Sequence, residues 1–495
     1  MKSKAKSLIF IGIFVICMAL VFLILVLTQP RAEGNDKDDQ SESNTTVALT
    51  NYERDNISTM KIKNSTGEYT ITQTALGFSV DELKDLKQNT TTMGAAGNCV
   101  AKITAQTLVE ENAQDLAKYG LEADSPEAEC VVTLKDGSSY TVLYGVTAPD
   151  GSSVYVRLAD SNDVYVVLLN SSRYFYNSKE SYISLIIKEQ LSNDNTAPTI
   201  DLLTVTRKDL DYDIVFEDDT KNYSVDEVSM ASSQVMISPV YAYLDITNSN
   251  DIIYGIWGLT ATEAVKPFPT EEDMAEYGLA DPFCTVTINA ELQTYKLSIG
   301  NIASYVIGED GNPTTEPESY YGYFEGKDVI YIFSATEVKW ATFMPGDILS
   351  SMMTSNYIYA LDYMDIELHN GEEISYHYDI EGSVDDASLA VSLNDKYVNA
   401  DDFKILYQFV LKCPIDDLCL EDPKEDAKLL AYIDFARAEG GGDTLEFYDD
   451  GANRVIIKLN GVTSFSQPKS YLDTLTSNLK LFAEGRPTED LQMIW

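Results

Sequence analysis

The stretch DLAKYGLEADSPEAECVVTLKDGSSY begins at Asp115, and DMAEYGLADPFCTVTINAELQTY begins at Asp273. A chain that writes the same order of turn glycines and strand aromatics twice at this distance is constrained to build the same unit twice. The register can be followed. Tyr119, Gly120 and Leu121 recur as Tyr277, Gly278 and Leu279 at an offset of 158, Tyr140 and Gly145 as Tyr295 and Gly300 at 155, and Tyr155 and Tyr165 as Tyr321 and Tyr331 at 166. The offset changes only across polar, turn-rich segments such as GEDGNPTTEPES, where insertions belong. Each YGL reads as a helix stop: the glycine takes the left-handed closing position and the leucine folds back onto the preceding turn. Cys130 and Cys284 take the same place in the phrase, on strands, as small buried apolar residues.

Around the phrase the pattern predicts two full units and a third, degenerate one. Unit one, residues 56–198, opens with ISTMKIKNSTGEYTITQT, a hairpin around Asn64 to Gly67. A helix is expected in ITAQTLVEENAQDLAKYGL, with Leu108, Val109, Ala113, Leu116 and Ala117 on one face. A hairpin at Asp136-Gly137 and a last strand pair in SVYVRLADSNDVYVVL complete it. Unit two, residues 199–350, repeats the order with LLTVTRKDLDYDIVFED, EEDMAEYGL, CTVTINAELQTYKLSIG and YYGYFEGKDVIYIFS. Unit three, residues 356–495, has hairpins around Asn370-Gly371 and Asp450-Gly451 and a helix in DDFKILYQFVL, but no YGL. Such units exceed solenoid repeats of about 20–50 residues and suit tandem domains. The expected class is α+β: tandem strand-rich domains with antiparallel sheets and short helices, preceded by one transmembrane helix.

That helix is expected at residues 8–27. Lys2, Lys4 and Lys6 precede an uncharged run from Leu8 to Leu27, which at 1.5 Å per residue crosses a hydrocarbon layer of about 30 Å. Residues 1–7 then form a cytoplasmic tail, and everything after Thr28 lies outside. A cleaved signal peptide is the competing reading, but LVLTQPRAEG offers no small-x-small site, and Cys17 follows Ile16 in mid-span, unlike a lipid-modified cysteine. Residues 28–55 lack apolar periodicity and read as a flexible acidic stalk. With 35 basic against 79 acidic residues the formal charge is −44, which repels phosphate backbones and excludes nucleic acid as a natural partner. The cysteines beyond the span are Cys99, Cys130, Cys284, Cys413 and Cys419, an odd set. Cys413 and Cys419 are close enough in sequence for a local bridge.

The same residues offer no catalytic constellation above chance. Histidine is confined to His369 and His377, and across the Asn370-Gly371 turn residue 369 should face 372 while 377 faces 364, so the pair is not expected to meet. A histidine-based zinc site or serine triad is therefore not expected. Ser58 to Lys61 and Ser466 to Lys469 match Ser-x-x-Lys, but neither opens an expected helix. The run Asp209, Asp211, Asp213 imitates a calcium loop, yet Ile214 stands where the turn glycine is needed and Thr220 where the bidentate acid belongs; DLDYDIVF reads instead as a strand with an acidic face. The 32 tyrosines could form a carbohydrate or protein contact surface, although half-buried sheet packing explains them more simply. No catalytic, cofactor-binding or metal-ligating residue is singled out, and no cofactor is expected.

At DLAKYGL…P…VTLKDGSSYTVLYG…VYVRL…VYVV the chain resembles the bacterial family of the domain of unknown function 4340, over most of units one and two and the amino-terminal span. The resemblance implies a membrane-anchored envelope protein, a companion of ABC-type complexes related to gliding-motility auxiliary systems. It brings no catalytic residues. The expected function is a non-enzymatic, extracytoplasmic binding or scaffold protein in the cell membrane, with the membrane and an ABC-type complex as partners. The alternative is a wall-polysaccharide hydrolase using acidic residues.

Overall fold

Segments in which apolar and polar side chains alternate pair into three large antiparallel sheets, beside one small two-stranded ladder. The computed structural model describes residues 46–192, 197–219, 232–371, 373–383, 387–411, 417–486 and 488–492. The first sheet has eight strands and the second and third have nine each, and the strand order is the same in all three save for one extra short edge strand in the latter two. An opening strand (Ile57–Asn64, Ile200–Arg207, Leu361–Leu368) lies in mid-sheet, and its hairpin partner (Gly67–Thr74, Ile214–Asp218, Ile374–Ser383) extends the sheet to one side. The chain then crosses to the opposite edge strand (Thr107–Glu110, Glu263–Pro267, Asp417–Leu418). It returns to the middle (Ala128–Leu134, Cys284–Ala290, Leu429–Arg437), beside the opening strand, and meanders outward through three more strands to meet that edge.

Among the described residues five helices of six residues or more accompany the sheets, besides a single turn at Leu169–Ser172: α1 (Thr90–Ala101), α2 (Ile246–Ile253), α3 (Glu271–Glu276), α4 (Ala400–Leu411) and α5 (Ser470–Ala483). Side-chain caps start the first two: Asn89 accepts from Thr92 N, and Asp245 from Thr247 N and Asn248 N. Helices α1, α2 and α4 occupy the same place in the three units, between the opening hairpin and the crossover to the edge. Each buries one face: Met93, Ala96 and Val100 on α1, Ile252 and Ile253 on α2, Phe403, Leu406 and Val410 on α4. The strands supply the opposite wall of this layer, with every second residue of Ala128–Leu134 and Cys284–Ala290 buried. Each fully buried Leu, Ile, Val or Phe contributes about 1.5–3 kcal/mol.

The repeated phrase is a crossing. In unit one Tyr119, Leu121 and Ala113 leave the edge strand, pass over the outer face of the sheet and form a small second core with Leu143 and Val164. Gly120 (φ +66°) and Gly278 (φ +73°) both hold the left-handed conformation expected of them. Gly145 and Gly300 let the turn come close: a Cβ at either would stand 2.0 Å from Tyr119 O or 2.3 Å from Tyr277 O. The aromatic companions repeat as well, Tyr119 with Tyr155 and Tyr277 with Tyr321, each pair with ring centroids 4.7 Å apart.

Several expectations are corrected. Residues 103–119 are not a helix. They form the strands Thr104–Ala105 and Thr107–Glu110 and a 3-10 turn at Ala117–Tyr119, because the sheet needs an edge partner for Val164–Leu168 and edge pairing overrides the helical spacing. The helix is instead α1, made of small residues so that it can approach the sheet: a Cβ on Gly97 would meet Phe78 at 2.8 Å. Cys130 and Cys284 are both buried but are not equivalent. Counting from Gly145 and Gly300, Cys284 pairs with Ile299 as Ala128 does with Tyr144, and Cys130 falls level with Val286. Asp209–Asp213 is a turn, and the strand begins at Ile214. His377 faces Asp365 and not Met364, because the hairpin turn is one residue longer than Asn370-Gly371 alone requires.

The segment read as stalk also reaches into unit one. Val47–Ala48 pairs with Thr104–Ala105, and buried Thr50 donates through Oγ1 to Val100 O (2.9 Å) and accepts from Ile103 N (2.8 Å). The units share one contiguous core running from Ile57 to Leu491. Residues 1–7, the apolar run 8–27 with Cys17, most of 28–55, and Cys413 lie outside the described residues. Among the described residues no helix is long and apolar enough to cross a membrane.

Candidate functional site

A cleft of about 710 Å³ opens where the chain passes from the first sheet into the second. Three stretches build it: the incoming strap (Ile186–Leu191 and Ala197), the carboxyl end of α2 with the following turn (Asn250–Thr260), and Thr336–Lys339 after the last strand of the second sheet. The strap is stitched to the turn by Ile187 N to Leu259 O (3.0 Å), Gly258 N to Lys188 O (3.2 Å) and Ala261 N to Leu185 O (2.8 Å). Two glycines shape the turn. A Cβ on Gly255 would stand 2.1 Å from Asp251 O, and Gly258 sits at φ +103°.

Between these glycines Trp257, half-buried against the core, joins an aromatic group. Its ring lies 6.0 Å from Tyr254 and 5.8 Å, edge-on, from Tyr295. The Lys188 ammonium rests over Tyr295 at 4.2 Å and Trp257 at 5.6 Å, a cation–π contact that fixes the tryptophan from one side. Polar groups share the lining. Asp251 Oδ2 pairs with Lys339 Nζ at 2.5 Å, and this ion pair holds the Asp251 carboxyl below its usual range, so it is an anionic acceptor and not a proton donor. Thr260 N and Oγ1 point at Glu337 Oε2, each at 3.5 Å. Glu189, on the rim, pairs with Lys87 at 2.7 Å.

The residues weighed from sequence lie elsewhere. His369 and His377 sit on one hairpin, each between two carboxylates: His369 between Glu367 and Glu373, His377 between Asp365 (2.5 Å) and Asp379 (2.9 Å). These pairs raise the His377 pKa above its ordinary value, the bond to Asp365 most of all. Ser58 and Lys61 lie on a strand, where Lys61 pairs with Glu68 (2.7 Å). Ser466 accepts from Arg454 Nη2 (2.9 Å), and Lys469 pairs with Asp449 (2.6 Å). Asp209 is clasped by Arg207 through two bonds of 3.0 and 2.5 Å, which lowers its pKa. Among the described residues no group of three or more His, Cys, Asp or Glu side chains is placed to hold a metal ion. Burial pushes the Cys284 thiol up to about 12, and the Cys130 thiol also upward. The Cys419 thiol is free and donates to Glu421 O at 3.4 Å. Many tyrosines, among them Tyr69, Tyr144, Tyr182, Tyr243, Tyr378 and Tyr471, are core packing. Tyr254 and Tyr295 are the ones that join Trp257.

Residues 64–230 match the family model described as Domain of unknown function (DUF4340). Over these residues the chain is similar to that family. The match begins at the last residue of the first opening strand and extends past the opening hairpin of the second sheet, leaving out the amino-terminal span and most of unit two, which the resemblance had been expected to include. No curated protein and no solved structure matches the chain.

Proposed function

We propose that this protein is an extracytoplasmic, membrane-anchored binding or scaffold protein that holds a ligand or partner beside an ABC-type envelope complex, without chemistry of its own. The observation that carries the reading is the cleft at the junction of the first two sheets, where an aromatic platform shares the lining with groups already committed to one another: Asp251 with Lys339, Lys188 with the rings. An ionised acceptor kept below its usual pKa suits hydrogen bonding to a ligand better than proton donation. The anchor and its orientation are supported by Lys2, Lys4 and Lys6 ahead of the run 8–27, and the envelope partner by the family resemblance.

Two experiments test this. Protease added to intact protoplasts is expected to digest nearly the whole chain; protection of the bulk would reverse the topology. Capture from native membranes in mild detergent is expected to bring down an ABC-type membrane complex, and capture of the bait alone would remove that partner. Turnover of purified wall polysaccharide, abolished by changing Asp251 or Glu337, would overturn the non-enzymatic reading in favour of a hydrolase.

A further inference from the structure

We propose that the cleft binds an uncharged oligosaccharide, stacked on Trp257 and clamped at its hydroxyls by Asn250, the Asp251–Lys339 pair, Thr260 and Glu337. This rests on reading the chain as a binding protein and names the ligand class of its cleft. A pyranose ring has apolar C–H faces and a rim of hydroxyls that each donate and accept. A site for it therefore needs a flat aromatic surface with donors and acceptors beside it, in a trough open enough for a chain to enter. The cleft has these parts. Its volume of about 710 Å³ lies within the range of small-molecule sites. Trp257 and Tyr254 provide the surface, and Asn250, Asp251, Lys339, Thr260 and Glu337 provide both donors and acceptors along the lining.

Other ligand classes fit less well. A phosphate or carboxylate needs a cation to meet it, but Lys339 is held by Asp251 at 2.5 Å and Lys188 lies on the rings. The lining also carries Glu189, Asp251 and Glu337 against these two lysines, within a chain of formal charge −44. A cationic side chain would seek the aromatic face, where the Lys188 ammonium already sits 4.2 Å from Tyr295 and 5.6 Å from Trp257 and repels it. An uncharged polyol meets neither obstacle. Because Lys188, Tyr295 and Tyr254 fix the Trp257 ring before ligand arrives, little ordering entropy is lost on binding.

The test uses the full-length protein in detergent, titrated with tetrasaccharides of glucose and of N-acetylglucosamine and followed by calorimetry and tryptophan fluorescence. Saturable binding of at least one, at about millimolar affinity or tighter, is expected. Trp257→Ala should weaken it at least about tenfold, Trp257→Phe less, and Asp251→Asn by an intermediate factor, with melting temperatures of the Phe and Asn variants unchanged. Absence of binding by both sugars overturns the proposal, as does binding indifferent to Trp257→Phe and Asp251→Asn. Tighter Trp257-dependent binding of tetragalacturonate or of tetralysine would overturn the uncharged class in favour of an anion or a cation. Failure here is separable from failure of the scaffold reading, because capture of a membrane complex does not depend on the sugar experiment.

Discussion

Gly145 and Gly300 show how single positions hold the repeated crossing together. Each stands where the carbonyl of the tyrosine in the overlying crossing leaves no space for a side chain, so the defect caused by a methyl group is steric and lies against backbone, which cannot swing aside. Gly145→Ala and Gly300→Ala are each expected to cost about 1–3 kcal/mol, seen as a lower urea midpoint at unchanged slope. Gly346 is the control: a Cβ there meets nothing within 4 Å and its φ is not left-handed, so Gly346→Ala should be neutral or stabilise by a few tenths of a kcal/mol. Thr50 carries a different load, since its hydroxyl serves both Val100 O and Ile103 N in a buried site. Thr50→Val keeps the shape and takes the acceptor from Ile103 N, while Val100 O keeps its bond from Tyr140 OH, an expected loss of about 1–3 kcal/mol in the same assay. These glycines were visible in the sequence as repeats. Helix closure was read at Gly120 and Gly278, while the role of Gly145 and Gly300 stayed unread, because a close approach between distant segments leaves no local signature.

At the level of elements, the three units solve one problem with different residues. The penultimate carbonyl of each covering helix, Val100, Ile252 and Val410, accepts a hydrogen bond from a ring: Tyr140 OH (2.8 Å), Trp340 Nε1 (2.8 Å) and Tyr471 OH (3.3 Å). Helix ends leave such carbonyls without partners, and here they lie against the sheet, so an aromatic donor supplies what water cannot. Trp340→Phe should lose about 1–3 kcal/mol through the stranded carbonyl and the smaller ring. Hairpins were legible wherever Asn-Gly or Asp-Gly stood between alternating runs, and α4 was legible from its apolar spacing. Helix α1 was not, since Thr90–Thr92, Gly94 and Gly97 are poor helix formers that tertiary packing overrides. The hairpin Leu361–Ser383 adds a pH dependence. The His377 pKa is raised by Asp365 and Asp379, so its stabilisation is full below the unfolded histidine value of about 6.5 and is lost as pH rises through the folded value. The groups are partly exposed, so the effect should stay below about 1 kcal/mol. His377→Gln should flatten denaturation midpoints across that window, and an unchanged slope would show that the pairs do not persist in solution.

Over the whole molecule, units that read as separate in sequence share a core, and their junctions carry both the cleft and a buried carboxylate. The cleft was illegible beforehand because Lys188, Trp257 and Lys339 come from stretches 69 and 82 residues apart, none with a motif of its own. At the second junction Asp443 of unit three, almost fully buried, accepts from Tyr243 OH of unit two (2.6 Å), from Asn356 Nδ2 of the connecting segment (2.8 Å) and from Asn460 Nδ2 (2.8 Å). Tyr241, Asp219 and Arg437 are the other ionisable groups facing it or its Tyr243 partner. Burial raises the Asp443 pKa, although its three donors and Arg437 oppose the shift. A folded value above the unfolded carboxyl value of about 3.9 means that the folded state binds more protons. The stabilisation is therefore full below about 3.9, falls as pH rises through the folded value, and is flat above it. Asp443→Ala takes the shared acceptor from two buried donors, Tyr243 OH and Asn356 Nδ2, and from half-buried Asn460 Nδ2, and should cost about 3 kcal/mol, since each lost buried bond costs about 1–3 kcal/mol. Asp443→Asn cannot titrate, and the Asn356 amide can turn to meet the new NH2. The stability difference between wild type and Asp443→Asn, measured by urea unfolding from about pH 4 to 8, should shift against the wild type as pH rises. A difference independent of pH would mean that Asp443 titrates in the folded junction as it does in the unfolded chain.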